Sequence, residues 1–283
     1  MFRATFNIVS DTASADEWKN GHLLMEVGDK AFSYVVYRKN PQHFLGYRQY
    51  NLEFIPGKTT YETLMEILAG DEFLQQHYHE SAVIYNYTDS NLLPEKFFHI
   101  GLNKPVTELV YGNARKGLLL SEKVSGWGMY NVYRIPREVH TVMQQKFAAG
   151  KYWHYYSLLL SGIEKEQSLQ ADGINIIVEA DQFIVLVAKD KEIQLLQTYN
   201  YQTPEDVSYQ LLAICQRFKM NQEEIGLSIS GLIDEESNLY QELLKYFLRI
   251  NWEVLPQSIE LEKEFSQFPQ HYFSPLLKMA LCV

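Results

Sequence analysis

The run from Ile174 to Ile250 sets out one order of elements, and that order constrains the chain more than any single motif. "INIIVEA" (174–180), "FIVLVAK" (183–189) and "IQLLQTYNY" (193–201) are rich in β-branched and aromatic residues. Polar turns at Asp181-Gln182 and Asp190-Lys191-Glu192 separate them, as in successive hairpins. Thr203, Pro204 and Asp206 then supply an N-cap, a first-turn proline and a capping-box acid. Val207, Leu211, Ile214, Cys215 and Phe218 follow at helical spacing, so one stripe of that helix faces a sheet. "IGLSISG" (225–231) reads as a strand and "EESNLYQELLKYFLRI" (235–250) as a helix, which makes the unit βββαβα.

The first half repeats this order. "HLLMEV" (22–27), "AFSYVVYR" (31–38) and "FLGYRQYNLEF" (44–54) are three strands. "TTYETLMEILAGDEFL" (59–74) is a helix opened by Thr59 and Glu62, and "SAVIYNY" (81–87) is the following strand. A duplication of this size implies two similar lobes rather than a solenoid, whose repeats run to about 20–50 residues. Between the lobes, "NLLPEKFFHI" (91–100) predicts a helix from Pro94, and residues 109–135 carry strand-like pieces around "VSGWGMYNVYRI". "PREVHTVMQQKFA" (136–148) predicts a helix, "KYWHYYSLLLSGI" (151–163) a short strand running into a helix, and "EKEQSLQADG" (164–173) a polar hinge. The expected architecture is α/β: an N-terminal lobe over 20–165 with an insertion around 90–130, a C-terminal lobe over 172–283, and a cleft between them.

Charge narrows the functions. A formal net charge of −10 with no basic stripe opposes binding to a phosphate backbone, so no nucleic-acid partner is expected. The two cysteines, Cys215 and Cys282, form no Cys-x-x-Cys pair and suit a reducing compartment. The opening residues lack the apolar core of a signal peptide. "FIVLVA" (183–188), the longest strongly apolar run, falls far short of the about 20 residues that span a bilayer, so no membrane insertion and a cytoplasmic location are expected.

The stretch 174–255, with "QTYNYQTPEDVSYQLL" and "LSISGLIDEESNLYQELLKYF", is similar to a Bacteroidetes family known only as a domain of unknown function (number 3822). "NLLPEKFF", "YNVYRIPREV" and "FPQHYFSPLLKMALC" extend the resemblance to roughly residues 20–283. It implies an actin-like ATPase fold built from two ribonuclease H-like lobes. More distantly, "LLPEKFF", "IPREVHTVM" and the 174–201 hairpins resemble actin-like proteins of type IV pilus assembly and type II secretion. No activity comes with the family.

Actin-like ATPases seat nucleotide phosphates on two hairpin turns whose glycines let backbone amides approach the oxygens, with acidic residues nearby to hold Mg²⁺. The resemblance places these turns at Glu26 to Phe32 and Glu179 to Phe183, and an adenosine-side glycine pair near Ser230 and Gly231. The cleft candidates are therefore Glu26, Gly28, Asp29, Glu179, Asp181, Ser230 and Gly231. The first turn keeps one glycine, the second has none, and Leu232 follows Gly231. No cofactor is expected on this pattern; ATP with magnesium is the alternative.

Other constellations are weaker. Glu26, Asp29, Glu179 and Asp181 could suggest a two-metal nuclease, but they divide between the lobes and the net charge opposes the substrate. His77 and His79 could share a metal only with a third ligand that no neighbour supplies. Cys215 and Cys282 lack the cationic neighbours that activate a thiolate. Trp127, between Gly126 and Gly128, reads either as an interface anchor or as an indole folded onto its own lobe. Tyr152, Trp153, Tyr155 and Tyr156 read mostly as core. The expected function is a non-catalytic actin-like scaffold acting through an unidentified protein partner or as a homodimer. The alternative is an ATP-binding actin-like protein whose lobes close on the ligand.

Overall fold

The computed structural model describes residues 3–52, 57–114, 116–124, 126–169 and 172–283. Three sequence readings touch the remainder: the end of the third strand (53–54), Ser125 in the tryptophan loop, and residues 170–171 of the hinge lie outside the described residues. The chain forms two compact units, one from Met1–Gly162, Gln257–Phe265 and Met279–Val283, the other from Ile163–Pro256 and Ser266–Lys278.

In the first unit, β1 (Phe6–Val9) and a short helix, α1 (Ala15–Lys19), precede the hairpins. Then come β2 (His22–Gly28), β3 (Ala31–Lys39), β4 (Gln42–Asn51), α2 (Thr60–Gly70) and β5 (Glu80–Asn86). β2, β3 and β4 pair antiparallel, and β5 lies parallel to β2. Helix α2 starts where Thr59 and Glu62 put it, with both capping-box hydrogen bonds made, and it buries Leu64, Ile67 and Leu68. Strands β2 and β3 are buried almost without interruption, as strands covered on both faces are.

The insertion departs from its sequence reading. "NLLPEKFFHI" is not a helix from Pro94: β6 (Ser90–Pro94) pairs antiparallel with β8, and 3₁₀ turns occupy Glu95–Phe97 and Ile100–Leu102. Cross-strand pairing along Asn91, Leu92 and Leu93 takes the apolar run, and Pro94 ends it in an extended conformation. A helix the pattern did not reveal, α3 (Asn103–Tyr111), follows, then β7 (Leu118–Val124) and β8 (Met129–Ile135), giving a three-stranded sheet in the order β6-β8-β7. α4 (Arg137–Lys146), β9 (Lys151–His154) and α5 (Tyr155–Glu166) run as their sequences predict, with Val139, Val142 and Met143 buried on α4. β9 joins the main sheet beside β5, in parallel.

In the second unit, β10 (Gly173–Val178), β11 (Gln182–Lys189) and β12 (Glu192–Asn200) form the expected hairpins. α6 (Pro204–Phe218) carries the Thr203–Asp206 capping box and buries Val207, Leu211, Ile214 and Cys215. β13 (Gly226–Gly231) lies parallel to β10. The expected helix over 235–250 is only α7 (Asn238–Leu243). Fully buried Leu243 and Phe247 anchor the turns after it, and Ile250 leaves helical spacing to open β14 (Ile250–Trp252), parallel to β13. The sheet order is β12-β11-β10-β13-β14.

The C-terminal segment does not stay in one unit. β15 (Ile259–Leu261) pairs with β4, so residues 257–265 and 279–283, inside the range assigned above to the second lobe, belong to the first unit; α8 (Ser274–Met279) starts in the second. His43 Nε2, 3.2 Å from the Glu262 carboxylate, fastens the β15 segment to β4.

Candidate functional site

The first unit contributes Glu26, Gly28 and Asp29. Glu26 accepts a 2.7 Å hydrogen bond from the Asn86 amide, and Gly28 stands opposite Asn86 where β2 and β5 end. A Cβ on Gly28 would fall 2.8 Å from the Asn86 carbonyl oxygen, so close strand approach already demands glycine here.

Asp29 borders a cavity of about 60 Å³ whose wall also includes Tyr87, Thr88, Asp89, Lys116 and Arg134. This is room for a few waters or a small ion, well below the about 300–1,000 Å³ of ordinary ligand clefts. Arg134 Nε donates to Asp89 Oδ2 at 2.8 Å, Nη2 reaches the same oxygen, and Nη1 donates to Gly112 O at 3.2 Å. The pair is buried and hydrogen-bonded through, so its guanidinium is committed to the protein. Burial, with the Asp29 charge nearby, holds the Tyr87 hydroxyl well above the usual phenol range.

Glu179, Asp181, Ser230 and Gly231 belong to the second unit. The turn between β10 and β11 closes through Glu179 N donating to Gln182 O at 2.9 Å. Gln182, nine-tenths buried, donates its side-chain amide to the Glu179 carboxylate. The Tyr201 hydroxyl donates to the carbonyls of Glu179 and Ala180, at 2.9 and 3.2 Å, and Tyr201 N donates to Asp181 O at 2.9 Å. The turn is thus tied up by its own side chains and by the end of β12.

Gly231 has a φ of +85°, and a Cβ there would lie 2.1 Å from Val178 O. Leu232 N then donates to Val178 O at 2.7 Å, while Ser230 is buried with its hydroxyl 3.5 Å from Ile176 O. The glycine that resembled an adenosine-side residue has a backbone reason to be there.

The structure brings the candidates together within each unit: Glu26 and Gly28 around Asn86, and Ser230–Gly231 beside Val178. The sequence reading missed Tyr201, Tyr87, Asp89, Lys116 and Arg134. Tyr201 ended a strand already recognised; Asp89 and Arg134 stand 45 positions apart with no motif to join them.

Other singled-out residues resolve individually. Trp127 is not an exposed anchor, because its indole N–H donates to Leu160 O at 2.8 Å and the ring is half-buried. His77 lines a groove of about 390 Å³ with Tyr78, Lys146 and Phe147, whereas the His79 ring packs edge-on to His22 at 5.3 Å. Among the described residues no group of three His, Cys, Asp or Glu side chains could hold a metal ion. Cys215 is buried, which pushes its thiol up to about 11, away from reactivity. Among the described residues no helix is long and apolar enough to cross a membrane.

Against solved structures, the chain is similar to a Bacteroides thetaiotaomicron VPI-5482 protein with an actin-like ATPase fold and unknown function. The TM-score is 0.75 at 14% identity, covering 86% of this chain and 94% of that one. It is also similar to a chain of the PilM–PilN type IV pilus biogenesis complex, with a TM-score of 0.61 at 11% identity over 92% of this chain and 98% of that one. The molecule therefore has the actin-like ATPase fold, built on two ribonuclease H-like βββαβα units. No curated protein sequence matches it. By its sequence the chain belongs to the family described as protein of unknown function (DUF3822), whose model matches residues 10–250.

Proposed function

We propose that this chain is a non-catalytic actin-like scaffold that works through contacts with other proteins. The observation that carries the reading is the Glu179–Gln182 turn. A phosphate-gripping turn needs backbone amides open to oxygen at close range. Here glycine is absent, Gln182 is bonded to Glu179, and the Tyr201 hydroxyl rests on two of the turn carbonyls. The glycines retained at 28 and 231 answer to strand packing and to a positive φ. A protein of the same fold occurs in the PilM–PilN complex, so protein contact is a use this fold supports. The free cysteines fit a reducing compartment such as the cytoplasm.

The second reading, an ATP-binding protein that closes its lobes on the ligand, draws on Asp29 and Lys116 beside the small cavity. Titration calorimetry with Mg-ATP separates the two. No saturable heat is expected up to millimolar nucleotide; micromolar binding abolished by Asp29→Ala would replace the scaffold with the nucleotide-binding protein.

A further inference from the structure

The groove of about 390 Å³ beside His77 falls in the range of small-molecule clefts, about 300–1,000 Å³, and no part of the scaffold reading uses it. Leu74, Tyr78, Phe147, Ala148 and Ala149 give it an apolar wall. Its polar groups are few and lean one way. Lys146 and His77 line it, and among the described residues that line it none is acidic, in a chain whose net charge is −10. Lys146, half-buried in the last turn of α4, donates from Nζ to Leu68 O at 2.8 Å. That bond uses one of the three ammonium donors. Met143 O and Phe147 O, at the end of α4, accept from the Tyr152 hydroxyl instead, at 3.2 and 2.8 Å. Among the described residues Asp71 is the carboxylate whose charge reaches Lys146, and it is already engaged by Arg48 and by the Tyr34 and Tyr50 hydroxyls. Burial holds the Lys146 ammonium below its usual pKa, as for a cation short of a counter-charge.

We infer that this groove binds a small organic monocarboxylate, with the carboxylate on Lys146 and the apolar body along Leu74 and Phe147. One ammonium, with the His77 ring and the Ser81 hydroxyl also on the lining, matches a single localised negative charge. A dianionic phosphate calls for several converging donors or an arginine fork. The apolar wall adds affinity in proportion to the length of hydrocarbon it covers. Ser81 lies near the start of β5, whose far end at Asn86 stands opposite Gly28. Along the strand the two are about 17 Å apart, so the groove is a separate site from the turn at Gly28 and Asp29.

Ligand-observed NMR titration of the full chain with acetate, butyrate and hexanoate, and with hexanamide as the uncharged counterpart, tests this. No nucleotide is added, so the outcome is independent of the Mg-ATP result. Affinity is expected to rise at least about tenfold from acetate to hexanoate, and hexanamide to bind at least about tenfold more weakly than hexanoate. Lys146→Met keeps the aliphatic stem, removes the charge and weakens hexanoate at least about tenfold. Ala149→Trp, at an exposed position, fills the groove and abolishes binding. Should Lys146→Met fail to fold without its bond to Leu68 O, Ala149→Trp decides alone. No saturable hexanoate binding up to about 10 mM overturns the proposal. So does hexanamide that binds as tightly as hexanoate, or hexanoate binding unchanged in folded Lys146→Met or in Ala149→Trp.

Discussion

His154, at the end of β9, has no solvent exposure and sits in a polar cluster with Ser90, Asn131, Ser157 and Glu122. Its Nδ1 accepts from Tyr156 N at 3.2 Å, and its Nε2 lies 2.9 Å from Tyr87 O, so the neutral ring carries its proton on Nε2. Burial lowers its pKa from 6.5 to about 4. Above pH 6.5 the folded and unfolded chains both hold a neutral ring. Between there and about 4, the unfolded chain takes up a proton that the folded chain refuses, and stability falls by about 1.4 kcal/mol per pH unit. From pH about 7 to about 4.5 the loss comes to about 2.5 kcal/mol.

Glu122 acts in the opposite direction. Burial raises its pKa above 4.5, so its contribution is present below the unfolded value and is lost as pH rises through the folded one. The assay is urea denaturation of wild type and His154→Gln across that window, followed by tryptophan fluorescence. The stability advantage of wild type over the variant should shrink by about 2.5 kcal/mol on acidification, and Glu122→Gln should steepen the wild-type acid limb. An advantage independent of pH would refute the reasoning, because a ring free to protonate in place would carry no linked proton.

Two further perturbations test particular contacts. Asp71 gathers the Tyr34 and Tyr50 hydroxyls at 2.7 and 2.6 Å, Arg48 Nη1 at 3.0 Å and Phe73 N at 2.9 Å. Asp71→Asn turns an amide N–H₂ towards these donors and should cost about 3–5 kcal/mol in chemical denaturation. Gly231→Ala, with no ligand present, should cost about 2–4 kcal/mol, combining left-handed backbone strain with a forced shift away from Val178 O. Unchanged stability there would remove the backbone account of that glycine.

Local chemistry alone made much of the fold legible. The Thr59–Glu62 and Thr203–Asp206 caps, the alternation of β-rich runs with short polar turns, and the stripe Val207–Leu211–Ile214–Cys215 act between near neighbours, so both βββαβα units could be read before any packing was known. The same kind of reading failed wherever a partner distant in sequence decided the outcome. Pairing with β8 holds Ser90–Pro94 as a strand, and 3₁₀ turns follow where a helix was expected from Pro94; pairing with β13 ended α7 well before its periodicity did. β15 returned to β4 across more than two hundred residues, a contact that no local pattern encodes. The turn at Glu179 was legible as lacking glycine, but the Tyr201 hydroxyl on its carbonyls was not. Helix α3, which the pattern did not reveal, is held by the hydrogen bonds of Asn103 and Tyr111 to Ser121 and Ser90, partners that periodicity cannot identify.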